Sequence, residues 1–305
     1  MMRTPRRVAG LLTAVPLAAV LTVAAAPQAA ADPLTEELCA GPVADLKAVQ
    51  ARIRAHNARP SVSSSQSYVN SYNAEAATLR REQNQAISRL MDCEKKLDRV
   101  KARYPRGEFM KPTNDATKKI DAAHRGVTDE EKRAVTHWSP KTYEFLRYGQ
   151  GKAGMTKRLD RRPPKLPPSV QRVYKALDET RPSFPPTAYL QGVRAPRTGT
   201  PDPAYPSSSG RRIGSVHMDH IVPLRRLVAF PDFLKLTPRN MFIVANSPAN
   251  AQWLSGSSNL SKGSGSAAFA SGTSPAWRRE QAKLREKAET ELKELIDVLL
   301  KNQRS

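Results

Sequence analysis

The spacing of apolar positions changes several times along the chain. An apolar run over residues 8–26, broken by Thr13, Pro16 and Thr22, comes first. Next, Val69, Tyr72, Ala76, Leu79, Gln83, Ala86, Leu90, Cys93 and Leu97 recur at spacings of three and four, which predicts one long helix with a single seam. Cys39, Leu46, Val49 and Ile53 keep the same phase upstream, and residues 57–67, with Pro60 and five Ser, predict the turn between two helices. Folding them antiparallel about residue 66 sets Cys39 against Cys93, Leu46 against Ala86 and Ile53 against Leu79. One register therefore pairs the sulfurs and the apolar positions together.

Residues 98–158 are charged and mostly helical by pattern. Val135, Trp138, Tyr143, Phe145, Leu146 and Tyr148 predict a small packed unit over residues 130–149. The chain then turns basic and Pro-rich, as at Arg161-Arg162-Pro163-Pro164 and over residues 201–209, with Val170, Val173 and Leu177 predicting one short helix between linkers. These basic clusters read equally as solvated connector or as a surface facing nucleic acid. Ser274-Pro275 opens a final helix whose stripe is Trp277, Leu284, Ala288, Leu292, Leu295 and Leu299.

Composition agrees with helices separated by Pro-rich connectors: among 305 residues, Pro numbers 25 against 15 Gly and aromatics make up 6%. The first 31 residues carry a basic head (Arg3, Arg6, Arg7), the apolar run, and Ala29-Ala30-Ala31 before Asp32. That order reads as a secretory signal cleaved before Asp32, with Arg6-Arg7 hinting at twin-arginine export. No other segment is long and apolar enough to span a bilayer, so the expected product is extracellular, with no stable membrane insertion after cleavage. The net charge is +22, and a leader with three Arg and no acid leaves +19 on the mature chain. A polyanionic partner is implied: nucleic acid, a membrane surface or an acidic inhibitor. An oxidising compartment favours a Cys39–Cys93 disulfide over free thiols. His56 is a lone His on a helix and reads as a surface or packing residue rather than a ligand, while His124 and His137 have no acidic or Cys neighbours at metal-binding spacing and receive no role.

Chemistry concentrates between Ser215 and Lys262. The chain reads Ser-Val-His217-Met-Asp219-His220-Ile-Val-Pro-Leu, and later Asn250-Ala-Gln-Trp-Leu-Ser-Gly-Ser-Ser-Asn259-Leu-Ser-Lys262-Gly. Phosphodiester hydrolysis needs a base that is neutral near pH 7, which imidazole supplies. It also needs hard oxygen donors for a divalent cation, such as Asp219 and the Asn259 carboxamide. Lys262 adds a positive contact to phosphate. Thr237-Pro238 reads as a helix start, so residues 238–246 are expected to be a short helix and 250–255 the second strand.

This pattern resembles the HNH nuclease family with its ββα-metal fold, over about fifty residues of 305. The resemblance implies that Asp219 binds metal, His220 is the general base, Asn250 fixes the loop carrying the base, and Asn259 is the second ligand. His217, two before Asp219, would face the same side of a strand as a further ligand, a phosphate contact or a packed residue. Arg212 and Arg225 join Lys262 as expected nucleic-acid contacts. The long loop between His220 and Asn250 departs from the compact pattern, and no Cys after Cys93 is present to build a structural zinc cluster.

The expected fold is thus mainly α with a small α+β region: a signal peptide (1–31), an antiparallel disulfide-linked helical hairpin (32–105), a helical and Pro-rich basic connector (106–200), and a C-terminal ββα-metal nuclease domain with its final helix (201–305). The expected function is a secreted, metal-dependent endonuclease with little sequence specificity, acting on DNA ahead of RNA, with Mg²⁺ or Mn²⁺ ahead of Ni²⁺ or Zn²⁺. Two alternatives are a secreted basic nucleic-acid- or envelope-binding protein with an inactive nuclease domain, and an antibacterial nuclease toxin with an acidic immunity protein.

Overall fold

A computed structural model describes residues 33–60, 65–107, 109–136, 166–263 and 265–303. The expected signal peptide, His137 and most of the apolar set at 130–149 lie outside these. Among the described residues the protein is mainly helical, with one small antiparallel sheet of two strands. In chain order the described elements are α1 (Pro33–Leu38), α2 (Ala40–Asn57), α3 (Gln66–Ala102), α4 (Asn114–His124), α5 (Asp129–Thr136), α6 (Pro168–Glu179), β1 (Val216–His220), α7 (Leu224–Leu227), α8 (Pro238–Ala245), β2 (Ala251–Ser255), α9 (Gly256–Lys262) and α10 (Pro275–Asn302). Among the described residues no helix is long and apolar enough to cross a membrane.

The chain divides into two compact units, one holding Ala44–Arg89 and the other Ala30–Val43 with Leu90–Ser305. In the first, Val49, Ile53, Ala76 and Leu79 form a buried seam, as the helical periodicity predicts. Asp45–Arg89 (3.3 Å), Arg52–Glu82 (2.6 Å) and Arg59–Glu75 pair along it in a constant antiparallel register. His56 is buried, its ring 3.9 Å from that of Tyr72, so it is a packing residue.

Cys39 and Cys93 form the expected disulfide. They sit in the larger unit, whose core also holds Leu38, Leu97 and Val100. The base of the helical hairpin thus belongs to the larger body rather than to a separate N-terminal domain. Described residues of the expected connector are also buried in that core: Ile120 of α4 and Val170, Val173 and Leu177 of α6. Helix α4 starts where Thr113 caps the Ala116 N–H (3.1 Å), and His124 at its end meets the Leu234 carbonyl at 2.7 Å.

Helix α10 begins at Pro275 behind the Ser274 cap and buries Trp277, Ala288, Leu292, Leu295 and Leu299 as its stripe predicts. Its polar residues also hold the body together. Glu289 accepts a bidentate, buried pair of hydrogen bonds from Arg226 of α7 (2.7 and 2.9 Å), and Glu291 accepts from the Tyr104 hydroxyl. Burial and that carboxylate raise the Tyr104 pKa, so the phenol stays protonated.

Candidate functional site

The two strands and α9 form a compact ββα unit. Strand β1 pairs with β2 over Val216↔Ser255, His217↔Leu254, Met218↔Trp253, Asp219↔Gln252 and His220↔Ala251. Pro223 ends the first segment and α7 follows it. The loop to β2 contains the expected helix: Thr237 caps the Asn240 N–H, Pro238 opens α8, and the helix ends at Ala245. Strand β2 begins at Ala251, one residue later than the sequence suggested, because Asn250 closes a short 3₁₀ turn over residues 248–250.

That turn places Asn250 where its side chain is fully buried between two backbone segments. Its Oδ1 accepts from the Val222 N–H (2.8 Å) and its Nδ2 donates to the Ala245 carbonyl (2.9 Å), while its carbonyl accepts from the Ile221 N–H (2.8 Å). Asn250 therefore ties the segment leaving His220 to the end of α8.

Neighbouring residues of a strand face opposite sides, and Asp219 and His220 follow that rule. The His220 ring meets the end of α8, its Nε2 lying 3.2 Å from Oδ1 of Asn246, whose Nδ2 donates to the Phe242 carbonyl (3.0 Å). With the Asn246 amide oriented by Phe242, Nε2 carries the proton and the Nδ1 lone pair stays unpartnered inside the protein. The residue is 2% exposed. Burial above all, then the charges of Arg181 and Lys262, depresses its pKa to about 3, so the imidazole is neutral at pH 7.

Asp219 faces α9. Its Oδ1 receives the Lys262 ammonium and its Oδ2 lies 3.4 Å from the Gln252 side-chain amide across the strand pair. Lys262 also donates to the His220 carbonyl (3.0 Å), so its charge is buried against β1 rather than extended to solvent for phosphate. Asn259 is half-buried one turn earlier on α9, the spacing that puts it on the same helix face as Lys262. The helix is set by its first turn. Ser255 Oγ caps the Ser258 N–H (3.1 Å), and Asp202 accepts from the hydroxyls of Ser255 (2.5 Å) and Ser257 (3.0 Å).

His217 is exposed, with Nε2 3.1 Å from Ser215 Oγ. Arg212 is exposed and donates to the Gly199 carbonyl at 2.5 Å, and Arg225 is half-buried on α7. The structure thus brings Asp219, His220, Asn250, Asn259 and Lys262 into one ββα unit, with His217 on its outer surface. Sequence reasoning missed Asn246, Gln252 and Asp202. Only Gln252 carried a signal, since it stands two residues after Asn250 on the predicted strand.

Among the described residues no three His, Cys, Asp or Glu side chains converge on a metal-sized site. The available donors are the Asp219 carboxylate and the Asn259 carboxamide, both hard oxygen groups suited to a divalent ion that keeps several waters. The Lys262 ammonium sits on Oδ1 of Asp219, so that carboxylate already faces a cation, and a metal ion would have to displace Lys262 to reach it. Compared with protein-family models, curated proteins and solved structures, the chain matches none.

Proposed function

We propose that this chain is a secreted, metal-dependent endonuclease of the HNH type, hydrolysing phosphodiester bonds of nucleic acid, with DNA ahead of RNA as substrate. One observation carries the reading: Asp219-His220 ends the first strand, Asn250 pins the segment behind the base, and Asn259 and Lys262 lie on the helix that follows the second strand, all within one ββα unit. The Cys39–Cys93 bond and the absence of a spanning helix among the described residues are compatible with export.

In this reading His220 takes a proton from water through Nδ1, the nitrogen whose lone pair is unpaired, while Asn246 holds the tautomer at Nε2. The ring is closed to solvent in this state, so the reading requires the pocket around Nδ1 to admit one water. Asn250 keeps the imidazole in place by fixing the backbone on either side of its pocket. Lys262 neutralises Asp219 and, when that carboxylate has another cation, offers its ammonium to a substrate phosphate. An ion held by Asp219 and Asn259, Mg²⁺ or Mn²⁺ in first place, would neutralise charge on the scissile phosphate and the departing oxygen.

The test uses protein from Asp32 onward with its disulfide intact, incubated with supercoiled plasmid in Mg²⁺, Mn²⁺, Ni²⁺, Zn²⁺ or EDTA, beside His220→Ala. The expected result is metal-dependent nicking by the wild type and none by the variant, with DNA binding retained in both. A second reading, a basic nucleic-acid-binding protein with an inactive site, is favoured by the closed His220 pocket and the Lys262–Asp219 pair. Binding without cleavage of DNA or RNA under any of these ions would establish it instead.

A further inference from the structure

The basic residues before β1 have no part in the chemistry above, yet they are tied closely to the strands. Residues 190–193 make a two-residue turn with reciprocal backbone bonds between Leu190 and Val193 (2.9 and 3.1 Å). Both central residues are left-handed, Gln191 at φ 51° and Gly192 at φ 77°. That conformation costs a non-glycine residue energy. The Gln191 amide offsets it by donating to the Pro248 (2.7 Å) and Ala251 (3.2 Å) carbonyls, and Trp253 Nε1 of β2 donates to the Ala188 carbonyl (3.2 Å). An exposed turn is thereby fastened at three points to β2 and the turn before it.

What this turn presents is an arginine stack. The guanidinium groups of Arg106 and Arg194 both lie over the Tyr189 ring, 4.8 and 5.0 Å from its centroid. Next to Arg106, Gly107 packs its backbone on Pro248, so closely that a methyl group there would come within 2.7 Å of the proline Cβ. A second arm, residues 199–213, repeats the device. Its backbone is laddered through Gly199–Ile213 (2.8 Å) and Asp202–Arg211 (3.0 Å), Arg211 lies 4.3 Å over the Tyr205 ring, and the Asp202 carboxylate fastens the arm to Ser255 and Ser257. Arg197 is exposed on the segment joining the two arms.

Among the described residues, Arg106, Arg194, Arg197 and Arg211 are exposed and form no ion pair. A guanidinium laid on a tyrosine face is held in plane with its N–H edge left outward, and that edge matches the paired oxygens of a phosphate. Holding the fork in advance removes part of the ordering cost of binding. We infer that the two arms form a track for the phosphodiester backbone of nucleic acid, gripped by Arg106, Arg194, Arg197 and Arg211 beside the β2–α9 corner. The inference rests on the nuclease reading for the identity of the partner, but its measurement is binding and needs no catalysis.

The experiment measures fluorescence anisotropy of a labelled duplex of about 20 base pairs with disulfide-bonded protein from Asp32 onward in EDTA, over a series of salt concentrations. Each phosphate contact contributes about −0.9 to the slope of log K against log salt. Changing Arg106, Arg194, Arg197 and Arg211 together to Ala is expected to flatten that slope by about 3 to 4. Changing Arg80, Arg81, Lys95 and Arg99 of α3 to Ala removes the same charge and is expected to flatten it by less than about 1. Arg197→Glu alone guards against misfolding, since that side chain has no polar contact among the described residues; it is expected to flatten the slope by about 1. Equal losses from both charge-removing sets, or an unchanged slope in Arg197→Glu, would overturn the track. Competition by polyglutamate as strong as by duplex would assign the arms to an acidic protein and also overturn it. Arm-dependent binding without cleavage in any metal would leave the track standing and remove only the nuclease reading.

Discussion

Replacing Lys262 with Met isolates the electrostatics of the site from its catalysis. The Lys262 and Asp219 side chains are 4% and 5% exposed, so the ammonium is the charge that makes an ionised carboxylate tolerable at that position. Removing one member of a buried pair leaves the other uncompensated, at a cost of about 3–5 kcal/mol. Lys262→Met in EDTA is therefore expected to lose about that much stability. The double variant Asp219→Asn/Lys262→Met, with neither charge, is expected to recover most of it, because burying two neutral groups avoids the penalty. Urea unfolding followed by tryptophan fluorescence measures this directly, since Trp253 and Trp277 lie in the unit that holds the site. The same melts test the donor set. If Asp219 and Asn259 take a divalent ion once Lys262 is gone, Mn²⁺ at one hundred times its Kd restores about 2.7 kcal/mol to Lys262→Met and nothing to the double variant. A Lys262→Met midpoint no lower than that of the double variant would refute the argument about the pair. Equal Mn²⁺ responses in the two would refute the donor assignment.

The remaining predictions concern the supports around the site. Cys39→Ser/Cys93→Ser, which opens a loop of sequence separation 54, is expected to lower stability by about 4 kcal/mol in urea melts, and an unchanged midpoint would contradict the constraint. Asn250→Ala strands the buried Val222 N–H and Ala245 carbonyl at roughly 1–3 kcal/mol each, so a total loss of about 2–6 kcal/mol is expected from denaturation, and less than about 1 would show that the tie is dispensable. His220 has a folded pKa of about 3 against roughly 6.5 unfolded, so the unfolded chain binds a proton that the folded one refuses. Stability contributed by neutral His220 is then complete above about pH 6.5 and lost towards pH 3, by up to about 1.4 kcal/mol per pH unit; melts across that range should lose this slope in His220→Asn. Gly107→Ala drives a methyl group into the rigid Pro248 ring and is expected to cost about 1–3 kcal/mol in thermal or urea melts, with no change if the 104–107 turn can shift.

Much of the site was legible because its signals are local. Thr237-Pro238 marks the start of α8 through a capping hydroxyl and a residue with no N–H to lose. Asp219-His220 ends β1 as read, while Asn250 stands one residue before β2, in the short turn that precedes it. The partners of those residues were not legible. Asn246 reaches His220 across 26 positions and Lys262 reaches Asp219 across 43, and nothing in either neighbourhood specifies the match. The expectation that Lys262 would face phosphate rested on its charge alone, which says nothing about where α9 packs.

The sequence by itself determined the helical hairpin and its disulfide, the caps and stripe of α10, and the order of acid, imidazole and carboxamide along the chain. Each is carried by spacing within one element, where 3.6-residue or two-residue periodicity fixes which side chains share a face. Tertiary structure alone decided that the hairpin base and helices α4 and α6 join the core of the larger unit, that His220 is closed off beside Asn246, and that Arg106 and Arg194 both stack over the Tyr189 ring. Periodicity states that a face must be covered; which distant segment covers it depends on how all the apolar faces and buried polar groups are satisfied together.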